Sequence, residues 1–246
     1  MKQIIPLPNK RLVWYLALEE YLAERVSEEQ IFFWVVPPTV IFGRHQVMEN
    51  EVNLDWCRQN GVQFYRRKSG GGCVYADSGN LMISYITPDT HSEAVFQHYL
   101  DLFSDALGKL GYQTVKSEHN DILVSGRKVS GNACYALPTG TIVHGTMLWD
   151  VDFAALQQAI TPSREKLAKH GVESVRQRVV NLSSLTPQPV SSPLLRQAFV
   201  PGDIHTLQSA LAALLCTSEA ALSPEDLCAV DRIEQDYLSP DFIKGL

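Results

Sequence analysis

The sequence has no excess of basic charge. Its 21 Lys and Arg against 27 Asp and Glu give a formal net charge of −6, with no basic tail. General nucleic-acid binders carry a basic footprint, so that class is excluded, while local basic patches stay open. Long apolar runs are missing too, and no stretch approaches the ~20 apolar residues of a membrane span. The N-terminal run Met1-Lys2-Gln3-Ile4-Ile5-Pro6 lacks the apolar segment of a secretory leader. Cysteine is sparse: Cys57, Cys73, Cys134, Cys216 and Cys228 are irregularly spaced and form no CxxC pair. An odd, scattered set suggests neither a disulfide framework nor a zinc site. It fits a reducing compartment, and a cytoplasmic protein without membrane association is expected. Internal repeats, low-complexity tracts and a nucleophilic triad are also missing.

What is present is apolar material for a core. Hydrophobic residues make up 45% of 246, enough for one large domain, or one domain and a small appendage. The most informative stretch is Arg66-Arg67-Lys68-Ser69-Gly70-Gly71-Gly72-Cys73-Val74-Tyr75. Three successive glycines leave main chain with no side chains in the way, so a ligand can lie against backbone N–H groups. Such a turn forms a concavity that attracts anions. Arg66, Arg67 and Lys68 are expected to add three positive charges at its mouth, and an arginine fork suits a phosphate. The run is neither a Walker A loop nor a dinucleotide fingerprint. Taken alone it reads equally as a glycine-rich hairpin turn with solvated basic flanks.

Along the chain, residues 13–25 read as a helix, with Glu19, Glu20 and Glu24 facing water. Residues 31–36 and 39–42 read as strands. The exit Gly43-Arg44-His45-Gln46 is a polar turn or a set of ligand donors. A short helix over 53–59 has Asn53 as its cap, a strand follows at 62–65, and another at 81–86. Residues 92–110 form the clearest amphipathic helix. Strands at 122–124, from 127, and at 141–150 are joined by turns at Ser125-Gly126 and Leu137-Pro138-Thr139-Gly140. That meander brings Asp121, Lys128 and His144 near one another. Helices are expected at 153–160, 164–170, 203–215 and 224–237, with a linker at 186–193.

Lys128 stands between glycines on a strand, in Gly126-Arg127-Lys128-Val129-Ser130-Gly131-Asn132-Ala133. A strand lysine beside a phosphate-binding turn can neutralise charge that develops in phosphoryl or acyl transfer. Asn120-Asp121 is a turn into the strand, or Asp121 holds Mg²⁺, which prefers carboxylate and phosphate oxygens. His144 is a core histidine or a ligand group. Cys73 and Cys134 flank the two glycine clusters and either enter the pocket or, the preferred reading, are small buried apolar residues.

As a set these residues resemble the lipoate-protein ligase A family, which shares a catalytic fold with biotin protein ligases. The resemblance is carried by Leu16-Ala17-Leu18-Glu19-Glu20-Tyr21-Leu22, Pro38-Thr39-Val40-Ile41-Phe42-Gly43-Arg44-His45-Gln46, the glycine run, and Asp77-Ser78-Gly79-Asn80. It continues through Asn120-Asp121, Arg127-Lys128-Val129-Ser130-Gly131-Asn132-Ala133, His144-Gly145-Thr146 and Ser174-Val175-Arg176-Gln177-Arg178-Val179-Val180-Asn181-Leu182. The fold it implies is α+β, a mixed and largely antiparallel sheet flanked by helices. The implied catalytic domain spans residues 1–185, followed by a linker and short helical segment at 186–246.

The resemblance also implies a reaction. ATP adenylates lipoate, and a lysine of an acceptor lipoyl domain then takes the acyl group from lipoyl-AMP. The acceptors it implies are the E2 subunits of 2-oxoacid dehydrogenases and the glycine cleavage H protein. Lys128 is the implied catalytic residue. The implied ATP and lipoyl-AMP contacts are Arg67, Ser69, Gly70, Gly71, Gly72, Cys73, Val74, Tyr75, Asn80, Asn120, Asp121, Lys128, Ser130, Gly131, His144, Gly145 and Thr146. Asp121 is the implied Mg²⁺ position, and apolar strand residues are to line a tunnel for the dithiolane chain.

Three departures stand out. Ala76 occupies a place where the family often has His, and Cys73 one commonly held by Ala. Larger members carry a C-terminal accessory domain, whereas about 60 residues follow Leu185 here. Either a partner subunit supplies that function, or the tail suffices, or the protein is a transferase. Transferases of the superfamily place a cysteine nucleophile before the strand leading to the lysine. That region here is Ser117-Glu118-His119-Asn120, without cysteine, which favours the ligase. A non-catalytic lipoate- or adenylate-binding module is the third reading.

Overall fold

A computed structural model describes residues 1–118, 120–160, 178–187 and 203–245. In chain order the strands are β1 (Lys2–Ile5), β2 (Gln30–Trp34), β3 (Thr39–Phe42), β4 (Gln63–Arg66), β5 (Val74–Ala76) and β6 (Asn80–Thr87). Then come β7 (Thr114–Lys116), β8 (Asp121–Val124), β9 (Arg127–Leu137), β10 (Gly140–Leu148) and β11 (Ser218–Ala221). The helices are α1 (Leu12–Ala23), α2 (Met48–Glu51), α3 (Leu54–Gln59), α4 (Ser92–Lys109), α5 (Phe153–Ala159), α6 (Ile204–Leu215), α7 (Pro224–Leu238) and α8 (Pro240–Lys244).

Eight strands form one sheet in the order β11-β1-β2-β6-β10-β9-β8-β7, and β4-β3-β5 form a second, smaller one. The large sheet is parallel across β11, β1 and β2 and antiparallel from β2 onward. The expected α+β class with a mixed, mainly antiparallel sheet is therefore what the chain adopts. The β8-β9-β10 meander is present. Ser125 and Gly126 make its first turn, both with positive φ, as a two-residue hairpin requires.

Both faces of the large sheet are covered, so β2 and the Leu81-Met82-Ile83 stretch of β6 are apolar on both faces. Ile31, Phe33, Ile83 and Val143 pack against Tyr99, Phe103 and Leu107 of α4. Phe32, Trp34, Met82 and Ile142 pack against Trp14 and Leu18 of α1. Helix α7 then covers the outer side of α1 with Val230 and Tyr237. This corrects the expectation that Glu19 faces water: it is 3% exposed, because α1 lies between a sheet and a helix. Asn53 caps α3 as expected, its Oδ1 accepting from Trp56 N. Ser223 caps α7 in a capping box with Asp226.

The C-terminal segment does more than add helices. Its strand β11 extends the large sheet beside β1, a strand with no clear alternation in the sequence. The helix expected at 164–170 and the linker from 188 onward lie outside the described residues.

Candidate functional site

The α1 face of the large sheet carries the polar residues. In register, Ser84 of β6 faces His144 of β10, and one row further Met82, Thr146, Gly131 and Asp121 line up across β6, β10, β9 and β8. Lys128 joins this face through a bulge. Ile122 pairs with Ser130 but Leu123 pairs with Lys128, so Val129 is an extra residue. With strict alternation Lys128 would share the α4 face with Ser130. The bulge re-aims it instead. Its Nζ lies over Gly131, where an added Cβ would overlap Lys128 Cε and Nζ. It pairs with Asp121 Oδ1 at 2.7 Å. The expected meeting of Asp121 and Lys128 is thus realised, and His144 stands on the same face.

The glycine run sits against this face. Ser69 Oγ lies 2.6 Å from His144 Nε2, and His144 Nδ1 lies 3.0 Å from Glu19 Oε2. Ser84 Oγ donates to Glu19 Oε1 at 2.6 Å, and Trp34 Nε1 donates to Ser84 Oγ at 2.8 Å. A carboxylate oxygen of Glu19 can only accept, so Nδ1 carries a proton directed at it. His144 is therefore hydrogen-bonded at both ring nitrogens, and it stands beside the glycine turn. The sequence reading gives Glu19 to water and assigns Ser84 and Trp34 no part in the site. Only their distance in sequence hid them, since a lone glutamate in an amphipathic helix reads as solvated.

The basic flank differs from expectation. Arg66, Arg67 and Lys68 do not offer three charges at an open mouth. Arg67 is 5% exposed and donates to Ser69 Oγ and to the carbonyls of Ile41, Gly70 and Gly72 at 2.6–3.3 Å. Burial pulls its pKa down to about 10, so it stays charged at neutral pH. Arg66 donates through Nη1 to the carbonyls of Gly43, Arg44 and Gln46. Lys68 pairs with Glu20 at 2.6 Å. These cations shape the turn from within. The exposed surface of the turn is the main chain of Gly70, Gly71 and Gly72 itself. The turn closes on the preceding exit loop: Arg44 N donates to Ser69 O at 2.9 Å, and Gly43 packs on the Gly71 carbonyl.

The remaining candidates divide. Thr146 Oγ1 bridges Gly131 N and O at 3.2 Å each. Asn80 is fully buried, and neither its Nδ2 nor its Oδ1 has a hydrogen-bond partner. Cys73 and Val74 are half-buried beside the turn, and Tyr75 is buried in the small-sheet core. Asn120 ties the entry to β8 to Asn132, its Nδ2 donating to Asn132 O at 2.7 Å. Ser130 and Gly145 lie on the opposite face. Ser130 Oγ donates to Asn132 Oδ1, and a Cβ on Gly145 would meet Asn132 and Tyr99 of α4. The structure does not bring those two to the site through side chains. Two surface clefts, one between α6 and β11 and one beside Arg127 and Asn181, do not include the glycine turn or Lys128. Among the described residues no cluster of three or more His, Cys, Asp or Glu could hold a metal ion. No described helix is long and apolar enough to cross a membrane.

Comparison with known proteins adds the family. The model of the lipoyl protein ligase A/B catalytic domain matches residues 13–202. The chain is 36% identical over 197 residues to lipoate-protein ligase LplJ of Bacillus subtilis, covering 77% of this chain and 60% of that protein. It is 34% identical over 178 residues to lipoate–protein ligase 1 of Staphylococcus aureus, covering 71% and 54%. The chain thus spans 60% or less of these relatives' length. Two solved structures share the fold across the whole of this chain. A bi-partite lipoate protein ligase from Thermoplasma acidophilum has a TM-score of 0.80 at 23% identity, with 96% of that chain covered. A lipoate-protein ligase A bound with ATP has 0.80 at 22%, with 99% of that chain covered. With the match running from α1 through the glycine turn, the lysine strand and beyond, the chain belongs to the lipoyl protein ligase A/B catalytic-domain family.

Proposed function

We propose that the protein activates lipoate with ATP and transfers the lipoyl group to a lysine of a lipoyl domain. The observation that carries this reading is the bulge at Val129, which turns the Lys128 amine onto the sheet face that the glycine turn abuts. In the first step a lipoate carboxylate oxygen attacks the α-phosphorus of ATP. The bond from that phosphorus to the bridging oxygen breaks, and pyrophosphate leaves. In the second, the acceptor amine attacks the acyl carbon, the acyl–oxygen bond breaks, AMP leaves and the amine loses a proton. Both transition states place negative charge on phosphate and acyl oxygens. The N–H groups of Gly70, Gly71 and Gly72 and the ammonium of Lys128 are fixed donors for that charge. Arg67 acts by holding the turn in shape. The unpartnered amide of Asn80 has a donor and an acceptor available for ligand atoms.

Residues 1–185 supply this chemistry and the C-terminal segment braces it. Asp121 is a single carboxylate already paired with Lys128, which suits Mg²⁺ only as an ion brought in on substrate phosphates. Such an ion would neutralise phosphate charge. The acceptors are lipoyl domains of E2 subunits and the glycine cleavage H protein. Five cysteines without a disulfide support a cytoplasmic setting.

An ATP–pyrophosphate exchange assay with lipoate tests the reading. Lipoate-dependent exchange is expected. Acyl transfer to a lipoyl domain without ATP would instead make the protein a transferase, and binding without either a non-catalytic module. Gly131→Ala offers a sharper check. The added methyl meets the flexible end of Lys128 and not main chain, so the fold persists while the amine is pushed aside. Exchange is expected to fall about tenfold to a hundredfold, with the melting temperature nearly unchanged. Full exchange in a folded Gly131→Ala protein would remove Lys128 from its assigned position.

A further inference from the structure

The family match ends at residue 202, yet helices α7 and α8 lie beyond it and touch the groups that shape the glycine turn. Lys68, which directly precedes Ser69, pairs with both carboxylate oxygens of Glu20 at 2.7 and 2.6 Å. Tyr237 of α7 donates its hydroxyl to Glu20 Oε2 at 3.1 Å, and its ring lies 4.8 Å beneath the Lys68 amine. Burial first, then the Glu20 charge, holds the Tyr237 phenol well above its ordinary pKa, so it remains a donor. Separately, Arg66 donates through Nε to the carbonyl of Ile243 in α8 at 3.1 Å. The same guanidinium holds the carbonyls of Gly43, Arg44 and Gln46, the loop on which the glycine turn rests. Helix α7 is anchored independently, Trp14 Nε1 donating to Asp231 and Tyr21 to Asp226. The rings of Tyr237 and Phe242 meet edge-on and join α7 to α8.

We propose that α7 and α8 set the conformation of the glycine turn and its supporting loop, with Tyr237 acting through Glu20 and Lys68 and Ile243 acting through Arg66. Tyr237 is a positioning residue: it reaches the turn through another side chain. The consequence for nucleotide affinity rests on the activity proposed above, whereas the mechanical coupling does not. A purely structural role would spread its effect over the whole protein. A positioning role concentrates it at the two turns.

Hydrogen exchange measures that directly. The amides of Arg44 and Arg67 are bonded within the two turns, to Ser69 O and Phe42 O. In the full chain, Tyr237→Leu is expected to speed their exchange about tenfold, as local opening becomes easier. Tyr237→Phe keeps the ring over Lys68 and loses only the hydroxyl contact, so a smaller acceleration at the same amides is expected. Phe103→Leu, in α4 on the far face of the sheet, lowers global stability and leaves these amides unchanged. In lipoate-dependent exchange the KM for ATP rises in the Tyr237 variants while that for lipoate holds. Unchanged Arg44 and Arg67 amides in folded Tyr237→Leu, or an equal acceleration in Phe103→Leu, would overturn the proposal. If the unmodified protein shows no lipoate-dependent exchange, the activity reading fails, and hydrogen exchange still decides the coupling. Should Tyr237→Leu not fold, the comparison of Tyr237→Phe with Phe103→Leu decides it alone.

Discussion

Lys128→Ala is expected to reduce lipoate-dependent ATP–pyrophosphate exchange about a thousandfold while the protein stays folded. The size follows from what the amine does. A fixed donor aimed at developing charge is worth about 10²–10³ in rate when removed. Lys128 also carries a full charge, which places it at the upper end. The cost in stability is small. The Lys128 side chain is one-third exposed, and its pairing with Asp121 counts as a partly solvated ion pair, worth about 1 kcal/mol or less. Exchange kinetics and circular dichroism on the same preparation separate the two effects. Transfer from synthetic lipoyl-AMP should fall as well, since the same charge develops there. Near-normal exchange in the variant would sink the assignment.

Gly43→Ala is expected to be strongly damaging although it touches no charged group. The missing side chain of Gly43 is where the carbonyl of Gly71 lies, so a methyl there meets main chain that cannot rotate away. Overpacking of this kind costs about 1–3 kcal/mol. For a chain of this size that lowers the melting temperature by several degrees, about 5 °C. The larger effect is on the turn, which must shift by a fraction of a bond length or more. Misplacing a binding turn by about 1 Å costs about a hundredfold in rate. Gly108→Ala on α4 serves as the comparison. No atom lies within 4 Å of its added methyl, so it should stabilise the helix by about 1 kcal/mol and leave activity alone. Equal activity in the Gly43 and Gly108 variants would show that the two turns are not in functional contact.

The elements that could be read from the sequence are those whose burial is set locally. Helix α4 shows one apolar face because the sheet covers one side of it, and the period is visible in any window. The Ser125-Gly126 hairpin announces itself because two positive φ angles demand such residues. Helix α1 was legible as a helix and misread as a surface. Nothing near Glu19 in sequence says that Ser84 and His144 will meet it, and nothing near Glu20 says that Tyr237 will. The same gap misled the reading of Arg66, Arg67 and Lys68. Their partners are carbonyls of the turn itself, Glu20 and Ile243, and charge in a string of letters carries no direction. The bulge at Val129 was invisible as well. It is a register shift between strands, and alternation alone would have sent Lys128 into the apolar layer beneath α4. The residue type was right for the chemistry; the backbone irregularity that delivers it is a property of pairing.

Strand β1 lies between β2, its near neighbour in the chain, and β11, which follows some two hundred residues later. During synthesis its outer edge has nothing to bond until residues 218–221 emerge from the ribosome. Until then an open row of amides and carbonyls is available to other nascent chains. Expression of shortened versions ending before that strand should therefore give aggregated material even where Lys128 and the glycine turn are intact, and a chaperone that shields that edge should raise the yield of chains that include it.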